Sequence, residues 1–142
     1  MKVSEVMSRD VQTVRPDQSA REAASFMLQA DAGAIPVLEG DRLIGMITDR
    51  DIAVRGVAEG HGPDTPVREL MTNDIVAARM EDDTDEVAVR MSEAQVRRLP
   101  VIDEQQKLCG IVSLSDLTQK ADSSEAEQAL EGVSEPGGQH QQ

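Results

Sequence analysis

The chain has 142 residues with a formal net charge of −13, and it contains one Phe but no Trp or Tyr. Its length suits one domain or two small, closely packed ones. The acidic balance argues against a nucleic-acid-binding surface and against electrostatic attachment to a membrane, because both need a basic face. The core must be aliphatic and rich in methionine, because almost no aromatic side chains are present to fill it.

The sequence argues against several other classes of protein. No apolar run is long enough to span a membrane. Residues 1–5 lack the apolar core of a signal peptide, which predicts a cytoplasmic protein. His61 and His140 have no partners at metal-ligand spacing, and Cys109 is expected to be a core thiol on a strand. No nucleophile–base pattern or phosphate-binding loop occurs, so we expect no catalytic activity, no metal and no obligatory cofactor.

The sequence contains an internal repeat. A shift of about 64 residues overlays the two halves, and a repeat of this kind defines the architecture. The matching segments are Val3-Ser4-Glu5-Val6-Met7 with Val67-Arg68-Glu69-Leu70-Met71, Ile35-Pro36-Val37 with Leu99-Pro100-Val101 and, after one inserted residue, Leu43, Gly45, Thr48 and Asp51 with Leu108, Gly110, Ser113 and Asp116. One repeat of roughly 55 residues buries too little surface to be stable alone, so two copies should pack together.

Each repeat is predicted to have the order β-α-β-β-α. The elements expected in the first repeat are an extended piece at 11–14, a helix at 19–30, strands at 34–38 and 43–47, and a last helix from Thr48. Those expected in the second repeat are an extended piece at 75–78, a helix at 84–94, strands at 99–102 and 107–112, and a last helix from Ser113. The spacing of apolar residues predicts that the first long helix buries Ala20, Ala23, Ala24, Met27 and Leu28.

The segment Gly45-Met46-Ile47-Thr48-Asp49-Arg50-Asp51 is an apolar strand that ends in a hydroxyl and turns into a helix. Thr48 and Asp51 have the spacing of a capping box, which satisfies backbone N–H groups at a helix start. They could equally bind a nucleotide, because a helix N-terminus attracts phosphate and an ionised Asp can accept from two ribose hydroxyls. Both interpretations stay open, although the recurrence of the pattern at Gly110-Ile111-Val112-Ser113-Leu114-Ser115-Asp116 weakens the purely structural one.

These repeats resemble a tandem pair of CBS domains, also called a Bateman module. The similarity lies in the two strand-to-helix corners, the apolar-Pro-Val strands and the opening Val-Ser-Glu-Val-Met, and it covers residues 3 to 120. The chain is similar to stand-alone bacterial CBS-pair proteins, some of which are linked to stress or dormancy responses. The resemblance implies an α/β (α+β) fold class, with two β-α-β-β-α CBS repeats packed with pseudo-two-fold symmetry through their sheets. We expect CBS domain 1 with its linker at 1–60, CBS domain 2 at 61–120, and an acidic, disordered tail at 121–142.

The resemblance also implies two clefts between the repeats, each able to hold an adenosine-containing ligand such as AMP, ADP, ATP, NAD or S-adenosylmethionine. Thr48 and Ser113 would contact phosphate, and Asp51 and Asp116 would accept from the ribose diol. The residues expected to line the base are Val14, Ile35, Pro36, Ala78, Leu99 and Pro100. The partners implied are a second copy of the chain in a homodimer, the nucleotide as a regulatory ligand, and an unidentified protein that receives the signal, with no nucleic acid or membrane.

Two arginines distinguish the second repeat. Arg97 and Arg98 precede Leu99-Pro100, where the first repeat has Gly33 and Ala34, although Arg50 and Arg55 lie near the last helix of the first repeat. A guanidinium can pair with phosphate, which predicts that nucleotide binds mainly at the second site; alternatively, the two arginines form a solvated strand edge. The sequence therefore favours a regulatory nucleotide sensor. The alternative is a non-catalytic homodimeric scaffold, related to stress, whose clefts are vestigial.

Overall fold

A computed structural model of the protein describes residues 1–120, which form two compact units. Residues 12–75 form one of them, called here the repeat-1 unit. Residues 1–11 together with residues 76–120 form the other, the repeat-2 unit. The chain therefore passes from one unit to the other after Val11 and again after Ile75.

The long helix of the repeat-1 unit, α1 (Ala20–Ala30), begins after Ser19, whose side chain accepts a hydrogen bond from the backbone of the first turn. It buries Ala20, Ala23 and Met27. The expectation that Ala24 and Leu28 also face the core is wrong, since both are exposed and Leu28 is 84% exposed. Successive helical residues are about 100° apart, so Leu28 lies about 80° round the helix from Ala20, outside the narrow stripe that packs inward.

The matching helix of the repeat-2 unit, α2 (Thr84–Ala94), has the predicted bounds. Asp83 caps it by accepting a hydrogen bond from the Asp85 N–H, and Gln95 ends it in the left-handed conformation, with φ of 56°. The helix buries Thr84, Val87, Ala88 and Met91. These are the positions at which a 3.6-residue period returns to one face, so the helix packs by the apolar stripe seen in its sequence.

The repeat-1 unit contains the antiparallel pair β1 (Ala34–Glu39) and β2 (Arg42–Thr48). Its register shifts after Val37, which leaves Ile44 as the extra residue of a bulge. The predicted opening strand is reduced to one parallel bridge between Val14 and Val37.

The repeat-2 unit contains a three-stranded sheet. In it, β3 (Ala78–Arg79) runs parallel to β4 (Arg98–Ile102), which pairs antiparallel with β5 (Leu108–Ser113). The register shifts after Val101, so that Cys109 is the extra residue. The last helix, α3 (Leu114–Lys120), follows β5 directly. This unit has the predicted β-α-β-β-α order in full.

The segment that opens each repeat in sequence packs against the other repeat. The 3₁₀ turn Val3–Glu5 leads to Ser8, which exchanges two backbone hydrogen bonds with Ile111, of 2.8 and 2.9 Å. The 3₁₀ turn Val67–Glu69 leads to Thr72, which exchanges two with Met46, of 2.8 and 3.0 Å. The compact units therefore group the residues differently from the contiguous ranges 1–60 and 61–120 expected from the sequence.

Glycine allows these segments to approach the strands. A Cβ on Gly110 would lie 2.6 Å from the Ser8 carbonyl oxygen, and one on Gly45 would lie 2.9 Å from the Thr72 carbonyl oxygen. Such distances are below van der Waals contact, so only glycine fits at either position. Close packing therefore requires glycine at positions 45 and 110, independently of any ligand.

Each unit has its own aliphatic core, as the composition predicts. The repeat-2 core includes Val3, Val6, Met91, Leu99, Leu114 and Leu117. The repeat-1 core includes Val14, Met27, Ile35, Ile47, Val67 and Leu70. Within residues 1–120, no helix is long and apolar enough to cross a membrane. The tail predicted to be disordered, 121–142, lies outside the described residues.

Candidate functional site

The first strand-to-helix corner is a closed capping box. The Thr48 N–H donates to Oδ2 of Asp51 over 3.0 Å, and the Asp51 N–H donates to Oγ1 of Thr48 over 3.0 Å. Both residues are buried, with 6% and 8% of their surface exposed. The capping interpretation of this spacing is therefore correct for the structure. A hydroxyl that accepts one hydrogen bond can still donate another, and a carboxylate has further acceptor positions, so the cap leaves ligand chemistry available.

The second corner repeats this geometry. The Ser113 N–H donates to Oδ2 of Asp116 over 3.0 Å, and the Asp116 N–H donates to Oγ of Ser113 over 3.0 Å. Ser113 and Asp116 are half-buried. The duplication in sequence is thus a duplication of hydrogen bonding, with a hydroxyl and a carboxylate at the end of each hairpin.

The two corners differ in the helix that follows. In the repeat-2 unit it is α3, whereas in the repeat-1 unit residues 49–50 lead into a π-helix, Asp51–Gly56. The Val57 N–H at its end is shared between the carbonyl oxygens of Ile52 and Ala53. The sequence predicts a helix here but not its type, because six residues do not distinguish a π from an α period. π-Helical turns occur often at functional sites.

The residues predicted to line the base in the repeat-1 unit lie together. The Val14 N–H donates to the Pro36 carbonyl oxygen over 3.1 Å, and the Leu38 N–H donates to the Val14 carbonyl oxygen over 2.8 Å. Val14, Ile35 and Pro36 are all buried. The structure therefore brings Val14 alongside β1, in the hairpin whose second strand ends at Thr48.

Their counterparts in the repeat-2 unit are arranged in the same way. Ala78 pairs with Val101, next to Leu99 and Pro100 on β4, and all of these residues are buried. The backbones of these residues take part in the sheet, and their side chains lie in the core. A ligand placed beside them would therefore meet an apolar edge and few polar atoms.

Arg98 lies directly across β4–β5 from Ser113. Residues directly opposite in an antiparallel pair project to the same face of the sheet, so the guanidinium and the hydroxyl share a face. Arg98 is half-buried, and within residues 1–120 its side chain forms no ion pair. The two interpretations of Arg98, as a phosphate-binding residue and as part of a solvated strand edge, therefore both stay open. The carbonyl oxygen of Arg97 accepts the Leu114 N–H over 2.9 Å, which fixes the start of α3.

Arg55, which the sequence places near the last helix of the first repeat, contacts the first corner. Its Nε lies 3.8 Å from Oδ1 of Asp51, and its Nη1 donates to the Met71 carbonyl oxygen over 3.3 Å. The signal in the sequence was the spacing of an acid and a base four residues apart, which is the distance of neighbours on a helix.

The repeat-1 unit has two surface pockets beside this corner. One, of about 220 Å³, is mainly apolar and is lined by residues of α1, the π-helix and the linker, including Ala24, Ile52 and His61. The other, of about 370 Å³, is more polar and includes Asp31 and Asp49. Neither is lined by Thr48 or Asp51, so neither pocket is the predicted nucleotide site.

The described residues give no support to metal or thiol chemistry. Within residues 1–120, no group of three His, Cys, Asp or Glu residues is placed to hold a metal ion. Cys109 packs against the repeat-2 core, as expected for a core thiol. Its burial raises the pKa of the thiol, to which the negative charges of Asp103 and Glu81 also contribute. A raised pKa lowers the fraction of reactive thiolate at neutral pH.

Comparisons with known proteins agree with this architecture. A CBS domain family model matches residues 3–56 and again residues 67–122. The CBS domain-containing protein YhcV of Bacillus subtilis is 44% identical over 133 residues, which are 93% of this chain and 94% of YhcV. Hypoxic response protein 1 of Mycobacterium tuberculosis is 38% identical over 115 residues, 80% of each chain.

Solved structures show the same fold. The CBS domain pair of protein MJ0100, in complex with 5'-methylthioadenosine and S-adenosyl-L-methionine, aligns with a TM-score of 0.74 and 26% identity over 84% of this chain and 94% of that chain. Hypoxic Response Protein I with two coordinated zinc ions aligns with a TM-score of 0.77 and 36% identity over 84% of this chain and 98% of that chain. The chain therefore belongs to the CBS domain family and carries two CBS domains in tandem, in an α+β fold.

Proposed function

We propose that this protein is a non-catalytic regulatory module that binds an adenosine-containing nucleotide at its strand-to-helix corners and signals to a partner protein. The observation that carries the proposal is the duplicated pair of hydroxyl and carboxylate, Thr48 with Asp51 and Ser113 with Asp116, at the end of two matching hairpins. A nucleotide needs a donor for phosphate and an acceptor for its ribose diol, and each pair supplies both.

The chemistry of the surrounding residues fits an adenosine ligand. Val14, Ile35 and Pro36 beside one corner, and Ala78, Leu99 and Pro100 beside the other, offer an apolar edge for the base. Backbone N–H and carbonyl groups of the adjacent strand ends would supply hydrogen bonds to its polar edge. Both ligands in the MJ0100 complex contain adenosine, which supports the same ligand class here. The zinc of Hypoxic Response Protein I is not carried over, because the described residues offer no comparable group of ligands.

Within this proposal, the second corner binds the more highly phosphorylated ligand. Arg98 shares a sheet face with Ser113, so a phosphate held by the hydroxyl would also meet a guanidinium. The first corner has Ala34 at the matching position. We therefore expect AMP, ADP or ATP mainly at the second corner, with weaker binding at the first.

We also propose that the chain forms a homodimer. Leu28 is 84% exposed and Val57 is 72% exposed in the repeat-1 unit, so these apolar side chains are candidates for the contact surface. Leu28→Asp should shift the protein towards monomer in sedimentation equilibrium, whereas the nearby substitution Gln29→Asp should not. An unchanged dimer in the Leu28 variant would place the contact elsewhere.

A second candidate function is a homodimeric scaffold with vestigial clefts. It is favoured by the closed capping boxes, because each corner already has a structural reason for its hydroxyl and its carboxylate. The similarity to a hypoxic response protein makes a stress-related scaffold consistent with the family.

A thermal shift panel with AMP, ADP, ATP, NAD and S-adenosylmethionine separates the two candidates. A ligand at 100 times its dissociation constant stabilises the folded state by about 2.7 kcal/mol, which raises Tm by several degrees. The proposal predicts such a rise with at least one adenosine-containing ligand and none with guanosine triphosphate at the same ionic strength. No rise with any member of the panel would favour the scaffold.

A further inference from the structure

Arg55 joins the first corner to the segment that leaves the repeat-1 unit. Its Nε is 3.8 Å from Oδ1 of Asp51, while its Nη1 donates to the Met71 carbonyl oxygen over 3.3 Å. The Arg55 side chain is 54% exposed, but that of Asp51 is only 11% exposed. The ion pair is therefore partly shielded from water on the side of the carboxylate, where screening is weaker than at a fully exposed pair.

The carboxylate of Asp51 divides its two oxygens between the cap and Arg55. Oδ2 accepts the Thr48 N–H, and Oδ1 faces the guanidinium. A carboxylate oxygen has more than one acceptor direction, so a ligand hydroxyl could bind Oδ1 while Arg55 remains in place. The guanidinium would then keep the carboxylate oriented for that hydroxyl.

The Met71 carbonyl group belongs to a segment that is attached to the same strand as the corner. The Thr72 N–H donates to the Met46 carbonyl oxygen over 2.8 Å, and the Met46 N–H donates back to that of Thr72 over 3.0 Å. Two residues after Met46, β2 ends at Thr48. Three residues after Thr72, the chain leaves the repeat-1 unit at Ile75.

We propose that Arg55 is a positioning residue that couples Asp51 to the segment 71–75, so that a ligand on the first corner tightens the stretch of chain leading into the repeat-2 unit. This inference rests on the proposed function for the identity of the ligand. The coupling itself is a property of the ligand-free protein. Because coupling between two sites is reciprocal, a segment that is held more firmly would also raise the affinity of the first corner.

The side chain of arginine suits this role better than that of lysine. A planar guanidinium can make two contacts at once in fixed directions, whereas an ammonium is a point charge on a flexible stem. The sequence places Lys120 at the matching position of the second repeat, four residues after Asp116. Arg55→Lys therefore keeps the positive charge beside Asp51, but it removes the guanidinium nitrogen that donates to the Met71 carbonyl oxygen.

Hydrogen exchange of the Thr72 amide in the full chain tests the coupling without ligand. Arg55→Gln should accelerate exchange by about three- to fivefold, the scale of a partly exposed ion pair. Asp51→Asn should accelerate it similarly, and the double variant should exchange no faster than either single one. The inference would be overturned if the two substitutions had multiplicative effects on the Thr72 exchange rate in the double variant. It would also be overturned if the Asp51→Asn variant exchanged at the wild-type rate.

Two controls separate coupling from general loosening. Arg50→Gln removes an exposed arginine of the same helix start and should leave Thr72 exchange unchanged. Asp49→Asn changes a neighbouring exposed carboxylate at the same helix start and should also leave Thr72 exchange unchanged. If Asp49→Asn accelerates exchange as much as Asp51→Asn, the effect comes from general loosening of the helix start and the inference fails.

Saturating AMP then tests transmission, in an Asp116→Ala background in which the second corner is disabled. AMP should slow Thr72 exchange in the chain with Arg55, and it should have less than half that effect in the Arg55→Lys variant. AMP that binds by calorimetry without slowing exchange overturns the inference. If AMP does not bind at all, the result counts against the proposed function at this corner and against transmission of the signal. The exchange rates of the single and double variants without ligand still test the contact of Arg55.

Discussion

Arg98 and Ser113 are paired across the antiparallel strands β4 and β5, whereas the matching pair in the other repeat is Ala34 and Thr48. The two corners have the same hydroxyl and carboxylate, but one of them has a guanidinium on the same face of the sheet. The tandem repeats therefore carry two related corners that differ by one guanidinium on this face. This difference in charge predicts that the two corners bind ligands with different numbers of phosphate groups.

Replacing Arg98 by alanine should weaken binding in proportion to ligand charge. We expect the affinity for ATP to fall by about tenfold or more, that for AMP to fall less, and that for adenosine to change little, because a charged hydrogen bond to phosphate is lost. Calorimetric titration of the three ligands provides the measurement. Arg42→Ala removes an exposed arginine from the repeat-1 unit and serves as the control. Equal losses for all three ligands would show that Arg98 acts on the fold and not on phosphate.

Gly45 and Gly110 should not tolerate alanine. The added Cβ would lie 2.9 Å from the Thr72 carbonyl oxygen in one variant and 2.6 Å from that of Ser8 in the other. Relief of such contacts requires backbone movement, so we expect each substitution to lower the free energy of unfolding by about 1–3 kcal/mol in denaturant titration. Gly62→Ala is the matched control, since a Cβ there meets nothing within 4 Å. A control that destabilises as much as the test variants would remove the steric explanation.

Opening either capping box should cost stability without unfolding the protein. Thr48→Val and Ser113→Ala each remove the hydroxyl that accepts the N–H of the aspartate three residues later. The usual loss for such a cap is about 1 kcal/mol, measured as a change in the free energy of unfolding. The loss should be larger for Thr48, because its corner is buried while that of Ser113 is half-buried. No loss at either corner would mean that the hydroxyls are retained for a ligand alone.

Ionisation of Cys109 should destabilise the protein at alkaline pH. Burial raises the pKa of the thiol in the folded chain, so the folded state binds more protons than the unfolded state in the window just above the ordinary thiol pKa. This contribution is fully present below the unfolded pKa and is lost as the pH rises through the folded pKa. The free energy of unfolding of the wild type should therefore fall more steeply between about pH 8 and 10 than that of Cys109→Ala. Parallel profiles would contradict the assignment of the raised pKa to Cys109.

Local sequence signals predicted the repeats, the helices and the hairpins well. Ser19 and Asp83 mark helix starts that the structure confirms, and the apolar-Pro-Val segments are strands in both repeats. Capping and strand patterns depend on neighbours within a few residues, so they can be recognised in one sequence. Leu28 was misplaced because an alanine-rich helix needs only a narrow stripe to pack, and its apolar residues outside that stripe are left at the surface.

The exchange of opening segments could not be predicted in the same way. Met7 and Met71 precede their own repeats in sequence, yet each lies against the glycine of the other repeat's second strand. Pairing of this type is set by contacts far apart in sequence, which no local pattern reports. The contact of Arg55 with the Met71 carbonyl oxygen also joins residues that are far apart in sequence, so no local pattern reports it. The pairing of Arg55 with Asp51, by contrast, follows from helical spacing.

Nucleotide binding at the two corners is tested by calorimetric titration with ATP of the wild type, Asp51→Ala, Asp116→Ala and the double variant. Asp49→Ala, which removes an exposed acid next to Thr48, is the control, and circular dichroism verifies that each variant is folded. We expect Asp116→Ala to lose most of the binding, Asp51→Ala to lose less and the double variant to lose all of it, whereas Asp49→Ala should bind as the wild type does. A folded double variant that binds ATP with wild-type affinity would contradict nucleotide binding at these corners.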